Sequence, residues 1–281
     1  MEPVVLLLLA LALLAYLDGR RVRCGVLIGC AASLKLAPLL LVLLLLRRRW
    51  WRAGAASLGA VLATTAAGVL ALGTGPLVEY VTKVMPALAR QNGWLYNQSL
   101  SGALNRAAGH AVLTVQPPIP ALAVSAVLLS VAVVAATLWL ARPEHVTRSR
   151  RGIEFSCMVM AMLLAGTITW YLHYVLLLIP LLAVAGWLAI VRPPLPRLLV
   201  GALCACLLAV AVAGPFLADA RFVNLLLAQR GTTWWWPLLQ LSSLPVLSVA
   251  LLFIATAATL RKTESTADRT AVLSPRRVSA L

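Results

Sequence analysis

Residues 20–52 read RRVRCGVLIGCAASLKLAPLLLVLLLLRRRWWR: an apolar run over 24–46, closed by arginines at both ends and broken near its middle by Lys35 and Pro38. About 20 apolar residues suffice for one helix to cross a bilayer core. A single crossing would put one arginine cluster on each side of the membrane, whereas basic residues collect on the cytoplasmic side. If the run instead enters, turns at residues 35–38 and returns, both clusters stay on that side. Each arm is then about 11 residues, or about 16 Å of helix. Pro38 gives the turn a local cause, because proline breaks the helical ladder and restricts the residue before it. Irregular backbone at that depth is tolerated where protein or a wet cavity surrounds it. Gly25 and Gly29, four positions apart, would let a neighbouring helix come close. The stretch predicts a re-entrant hairpin in an integral membrane protein.

The rest of the 281-residue chain agrees. It is 62% apolar and 11% charged, with a mean hydropathy of +0.95, against about 25% charged in ordinary soluble domains. Soluble, disordered and disulfide-stapled classes are excluded on those figures. A net charge of +16 would suggest nucleic acid in a soluble chain. Its placement argues otherwise, because 18 of the 24 Lys and Arg fall in residues 20–23, 47–52, 142–151, 192–197 and the tail from 261. No nucleic-acid partner is expected; membrane lipids are. Spans are predicted at about 3–17, 53–74, 118–141, 153–169, 174–191, 197–218 and 237–259. The fold class is therefore an all-α polytopic membrane protein of about seven full transmembrane helices plus the hairpin. Residues 1–260 form one membrane domain, and 261–281 read as a disordered cytoplasmic tail. No internal repeat is visible, which disfavours a transporter built from duplicated halves.

Candidate chemistry gathers in few places. Lys35 is a formal charge deep in an apolar run, which is costly and by default marks a function; it either snorkels to the interface or meets an anionic headgroup. The outer connection 75–117 begins with Leu77, Tyr80, Val81, Val84 and Leu88 at helical spacing, as in a helix lying on a membrane surface. It continues with Asn97-Gln98-Ser99 and Arg106. Amides and a hydroxyl suit sugar recognition and a guanidinium suits phosphate, although the same residues could simply cap a short helix whose Leu100, Leu104 and Ala107 face apolar surroundings. Trp170, Tyr171, His173 and Tyr174 form an outer corner, where a histidine can bind phosphate or act as a base. Trp234, Trp235 and Trp236 read as interfacial anchors or as a sugar-stacking platform. Outer carboxylates are few: Glu2, Glu79 and Asp219. The cysteines read as small buried hydrophobes, and His110, His145 and His173 are too scattered to suggest a metal cluster.

Three of these segments together, GVLIGCAASLKLAPLLLVLLLLRRRWW, NQSLSGALNR and TWYLHYVLLLIP, occur in this order in glycosyltransferase family 87, which the chain resembles from about residue 3 to 192. The resemblance implies a GT-C-like membrane fold and an α-mannosyltransferase that works at the outer face of the plasma membrane. The transfer is inverting, from a polyprenyl-phosphate sugar donor to a lipid-glycan acceptor, and needs no metal and no cofactor. It implies donor-phosphate contacts for Lys35 and Arg106, and catalysis at His173. Sugar or acceptor contacts fall to Asn97, Gln98, Ser99, Trp170 and Tyr174. Two departures stand out. Leu172 replaces the first of two adjacent histidines in the corner motif. Family members also carry upstream spans and an outer loop with an aspartate general base, so an N-terminal part is expected to be missing here. The competing expectations are a non-catalytic remnant or membrane subunit, and a lipid or sugar transporter.

Overall fold

The computed structural model describes residues 1–89, 94–109, 119–141, 146–191, 195–218, 228 and 240–273. Its regular elements are helical: α1 (Glu2–Leu17), α2 (Arg21–Leu34), a 3-10 turn (Ala37–Leu39), α3 (Leu40–Arg47), α4 (Trp51–Leu72) and α5 (Gly75–Glu79). A π-helical turn (Tyr80–Val84) leads into α6 (Met85–Ala89), followed by α7 (Leu100–Ala107), α8 (Pro120–Leu140) and α9 (Arg148–Ala165). A 3-10 segment (Tyr171–Leu177) opens α10 (Leu178–Val191), and α11 (Pro196–Ala218) and α12 (Leu244–Leu273) close the fold. Helix starts have local causes. Pro3, Pro76 and Pro120 stand in first turns, where a missing N–H costs nothing, while Ser99 and Thr147 accept from Gly102 N and Arg150 N as caps.

Four helices among the described residues are long and apolar enough to cross a membrane: Trp51–Leu72, Pro120–Leu140, Tyr171–Val191 and Leu244–Lys262. Glu2–Leu17, Ala37–Arg47 and Pro196–Val212 are apolar but shorter. α9 is buried on every side from residue 152 to 164, as befits a central post wrapped by other helices. α12 continues beyond its apolar part to Leu273, into the segment that composition reads as disordered. Residues 261–273 contain neither Pro nor Gly, so no residue there forces the helix to stop.

The decisive stretch is helix, break, helix. Gly25 lies so close to Ala53, and Gly29 to Ser57, that a Cβ at either would meet backbone atoms of α4. Ser57 Oγ donates to the Gly25 carbonyl at 2.7 Å, and the Ser33 and Thr64 hydroxyls are 2.6 Å apart. The pairs 25–53, 29–57 and 33–64 make α2 and α4 parallel, so α3 has to double back between them. Leu46 of α3 accordingly packs on Gly54. The break faces α4 just beyond Thr64, about 20 Å along a helix of about 33 Å.

At the opposite end from Lys35, arginines dock on helix C-termini, whose last carbonyls have no intrahelical donor. Arg47 Nε donates to Leu138 O at 3.0 Å, Arg150 Nη2 to Leu140 O at 3.1 Å, and Arg151 Nη1 to Leu17 O at 3.2 Å. Below them Glu154, 1% exposed, binds both Arg48 and Arg150, the latter at 3.0 Å. Tyr16, Trp50 and Phe155 pack around this group. Glu154 is a charge within the membrane domain that the sequence reading did not single out.

Candidate functional site

The α2 helix ends because Lys35 turns extended, with φ −158° and ψ 122°, before Pro38 starts the 3-10 turn. This break forms one wall of a cavity of about 480 Å³. Residues 34–38 face Met162, Leu163 and residues 166–170, with His173 and Leu176 completing the wall. Tyr80 and Leu88, from the π-turn and α6, flank it. Polar groups are few and concentrated: Lys35, Thr167, Thr169, His173 and the Tyr80 hydroxyl in an otherwise apolar lining. Side-chain exposures of 26% for Lys35 and 14% for His173 leave both within reach of an entering group.

Lys35 and His173 share one carboxylate. Glu2 Oε1 binds Lys35 Nζ and lies 3.5 Å from His173 Nε2. Glu2 Oε2 is buried with no hydrogen-bond partner. Glu2 is the cavity-side residue that sequence reasoning left unassigned, although it was one of the few carboxylates expected on the outer side. The signal was present in the helix lengths. α1 and α2, 16 and 14 residues long, are joined by a tight turn, so antiparallel packing brings residue 2 level with residue 35.

Asn97, Gln98, Ser99 and Arg106 form a separate junction, buried at 0–1% exposure. Arg106 donates from Nη1 to Trp94 O at 2.8 Å and Asn97 O at 2.7 Å, and from Nε to Ser243 Oγ at 2.8 Å. Burial lowers its guanidinium pKa to about 10, so it stays charged at neutral pH. Asn97 Nδ2 donates to Thr167 O at 3.1 Å, and its Oδ1 accepts from Thr169 N at 3.0 Å. Gln98 Nε2 donates to Leu95 O at 2.7 Å and Ser242 O at 2.9 Å, while Tyr174 Oη donates to Gln98 O at 3.0 Å. The isolated backbone bridge between Asn97 and Trp170 completes the clamp. Residues 94–99 thus hold the 166–170 wall of the cavity in place.

The structure therefore brings Lys35, His173 and Trp170 together at the cavity. Asn97, Gln98, Ser99, Arg106 and Tyr174 are not among the residues lining it. Trp170 lies parallel to Tyr96, at 6.1 Å and 10°. In α7 the buried residues are Ser101, Gly102, Asn105 and Arg106, while Leu100 packs half-buried against the core and Ala107 is exposed. Arg106 turns inward because it finds several acceptors there. Leu77, Tyr80, Val81, Val84 and Leu88 are all exposed, between 37% and 52%, so that amphipathic segment keeps an uncovered apolar side. Trp234, Trp235, Trp236, Asp219, His110 and His145 lie outside the described residues.

The described residues thus form a helical membrane protein with a cavity, lined by Lys35 and His173, at the break of a helix. The family model of Glycosyltransferase family 87 matches residues 1–167, and the chain belongs to that family. Membership implies membrane glycosyltransferase activity, with a sugar donor and an acceptor as substrates. No curated protein and no solved structure matches the chain. The matched region holds Lys35, Asn97 and Arg106, whereas Trp170, His173 and Ser243 come from beyond it.

Proposed function

We propose that the cavity at Lys35 and His173 transfers a hexose, mannose by family resemblance, from polyprenyl phosphate to a hydroxyl of a lipid glycan. The transfer takes place at the outer face of the plasma membrane. The observation that carries this reading is the Glu2–Lys35–His173 group beside a cavity with apolar walls, at the point where a membrane helix stops. In the reaction, the bond between sugar C1 and the phosphate oxygen breaks and its electron pair leaves with the phosphate. The acceptor oxygen forms the new bond to C1 and gives up its proton. A sugar phosphodiester carries one negative charge and the released monoester carries up to two. A fixed cation therefore favours the transition state over the ground state. Lys35 supplies that cation. His173 takes the acceptor proton, and the Glu2 carboxylate beside Nε2 orients the ring and stabilises the imidazolium. The Trp170 ring borders the sugar. Arg106, Asn97, Gln98 and Ser99 act at one remove, by fixing the wall that carries Trp170. In this reading α2 and α3 are the arms of a re-entrant hairpin whose tip enters from the cytoplasmic side.

The test is transfer of labelled mannose from polyprenyl phosphate to a lipid-glycan acceptor by the purified full chain in vesicles. Lys35→Ala and His173→Ala are each expected to lower the rate about 100-fold or more, with folding unchanged. Absence of transfer by the unaltered chain, with both substrates supplied, supports the remnant or subunit reading instead. Movement of the sugar lipid across the vesicle without bond cleavage supports the transporter.

A further inference from the structure

A second concavity of about 630 Å³ runs between α1 and α10, with the first turns of α9 at one end. Leu6, Leu13 and Leu17 line one side and Ile179, Ala183 and Trp187 the other. From Leu6 to Leu17 it extends about 16 Å, roughly half a bilayer core. Gly186 lines it, and a Cβ placed there would meet nothing within 4 Å. Leu14, Leu178 and Leu182 are 46–71% exposed along its rim, so it opens sideways to the bilayer. The polar wall residues, Arg148 and Ser149, stand together at one end, beside the C-terminus of α1. Arg148 is 67% exposed and 3.1 Å from Asp18. Arg151 approaches Gly19 beside that pair and donates to Leu17 O, so among the described groups at the mouth two arginines stand against Asp18.

We infer that this groove binds an anionic phospholipid from the leaflet on the Arg148 side. One acyl chain lies between α1 and α10, and the phosphate rests against Arg148 and Ser149. A groove that is apolar along its length and cationic at one mouth matches a molecule built the same way, with a single charged head and a hydrocarbon tail. A zwitterionic lipid would fill the apolar length but gain little at the mouth, since one basic residue near an anionic headgroup is worth about fivefold in affinity. The site is distinct from the Lys35 cavity and does not depend on the proposed transfer reaction.

Trp187 in the groove wall is the reporter. The full chain is reconstituted in phosphatidylcholine vesicles carrying a small fraction of brominated phosphatidylglycerol or brominated phosphatidylcholine. Quenching assigned to Trp187 is taken as the difference from Trp187→Phe. The expected result is stronger quenching by the brominated anionic lipid, with half-saturation at about fivefold lower mole fraction. Arg148→Ala should abolish this preference while leaving quenching itself. Gly186→Leu, whose Cβ has open space within 4 Å, should reduce quenching by both lipids. Equal quenching by the two lipids in the unaltered chain overturns the proposal and makes the groove ordinary lipid-facing surface. Quenching by neither lipid also overturns it, with a protein segment or second copy as the occupant.

Discussion

The two ends of α1 carry the same chemical arrangement in opposite settings. At one end Glu154 bridges Arg48 and Arg150; at the other Glu2 joins Lys35 to His173. The Glu154 side chain is 1% exposed and sits among rings, whereas Glu2 and Lys35 keep 21% and 26% exposure beside a cavity. A buried ion pair is hard to break but adds little net stability over an apolar equivalent, because both charges have lost their water. A half-exposed group costs less to keep and can exchange partners. The first cluster suits the holding of helices, and under the proposed function the second is the one that meets a substrate.

The largest expected effect breaks the closed cluster. Glu154→Ala strands buried arginine charge and should cost about 3–5 kcal/mol of stability, read as a shift in denaturation of the detergent-purified chain. A loss under about 1 kcal/mol would mean the cluster is not a fastening. Glu2→Gln should invert the pattern. Transfer falls about 100-fold, while stability changes by less than about 1 kcal/mol. Equal damage to both would erase the distinction between the two ends. Gly29→Val forces a branched side chain against the Ser57 backbone. It should cost about 1–3 kcal/mol, with transfer falling only as the folded fraction falls if the break at Lys35 keeps its place. Lys83→Ala removes an exposed pair with Glu79 at 3.4 Å and sets the baseline, within about 0.5 kcal/mol; a larger loss there would show that exposure is a poor guide in this molecule.

What was legible in the sequence was local. Pro38 and Lys35 marked the break, the glycines at 25 and 29 foretold the close approach now seen with α4, and Ser99 caps α7. The helices of the apolar runs fall within a few residues of the expected spans, apart from α12, which starts later and runs past the apolar stretch. The burial of Arg106 was not legible, because its partner Ser243 lies 137 positions away and neither residue signals the other. Glu154 lies just inside the expected span 153–169, and its partner Arg48 is 106 positions away, so nothing in the sequence pairs the two. The Asn-Gln-Ser block stood out in the sequence as a candidate for sugar recognition or for helix capping. Its composition is equally suited to gripping a sugar or gripping backbone carbonyls, and only the fold distinguishes the two.

The Arg106 junction also sets an order of events during synthesis. Its guanidinium rests on carbonyls made a few residues earlier and on Ser243, just before the last helix. At about 5–20 residues per second a ribosome needs on the order of 10 s to cover that interval. Through that time the charge waits with part of its coordination unmade, and the wall bearing Trp170 has no final anchor. α12 is thus a closing latch: until it inserts beside α11, the nascent enzyme has its helices but not its finished pocket.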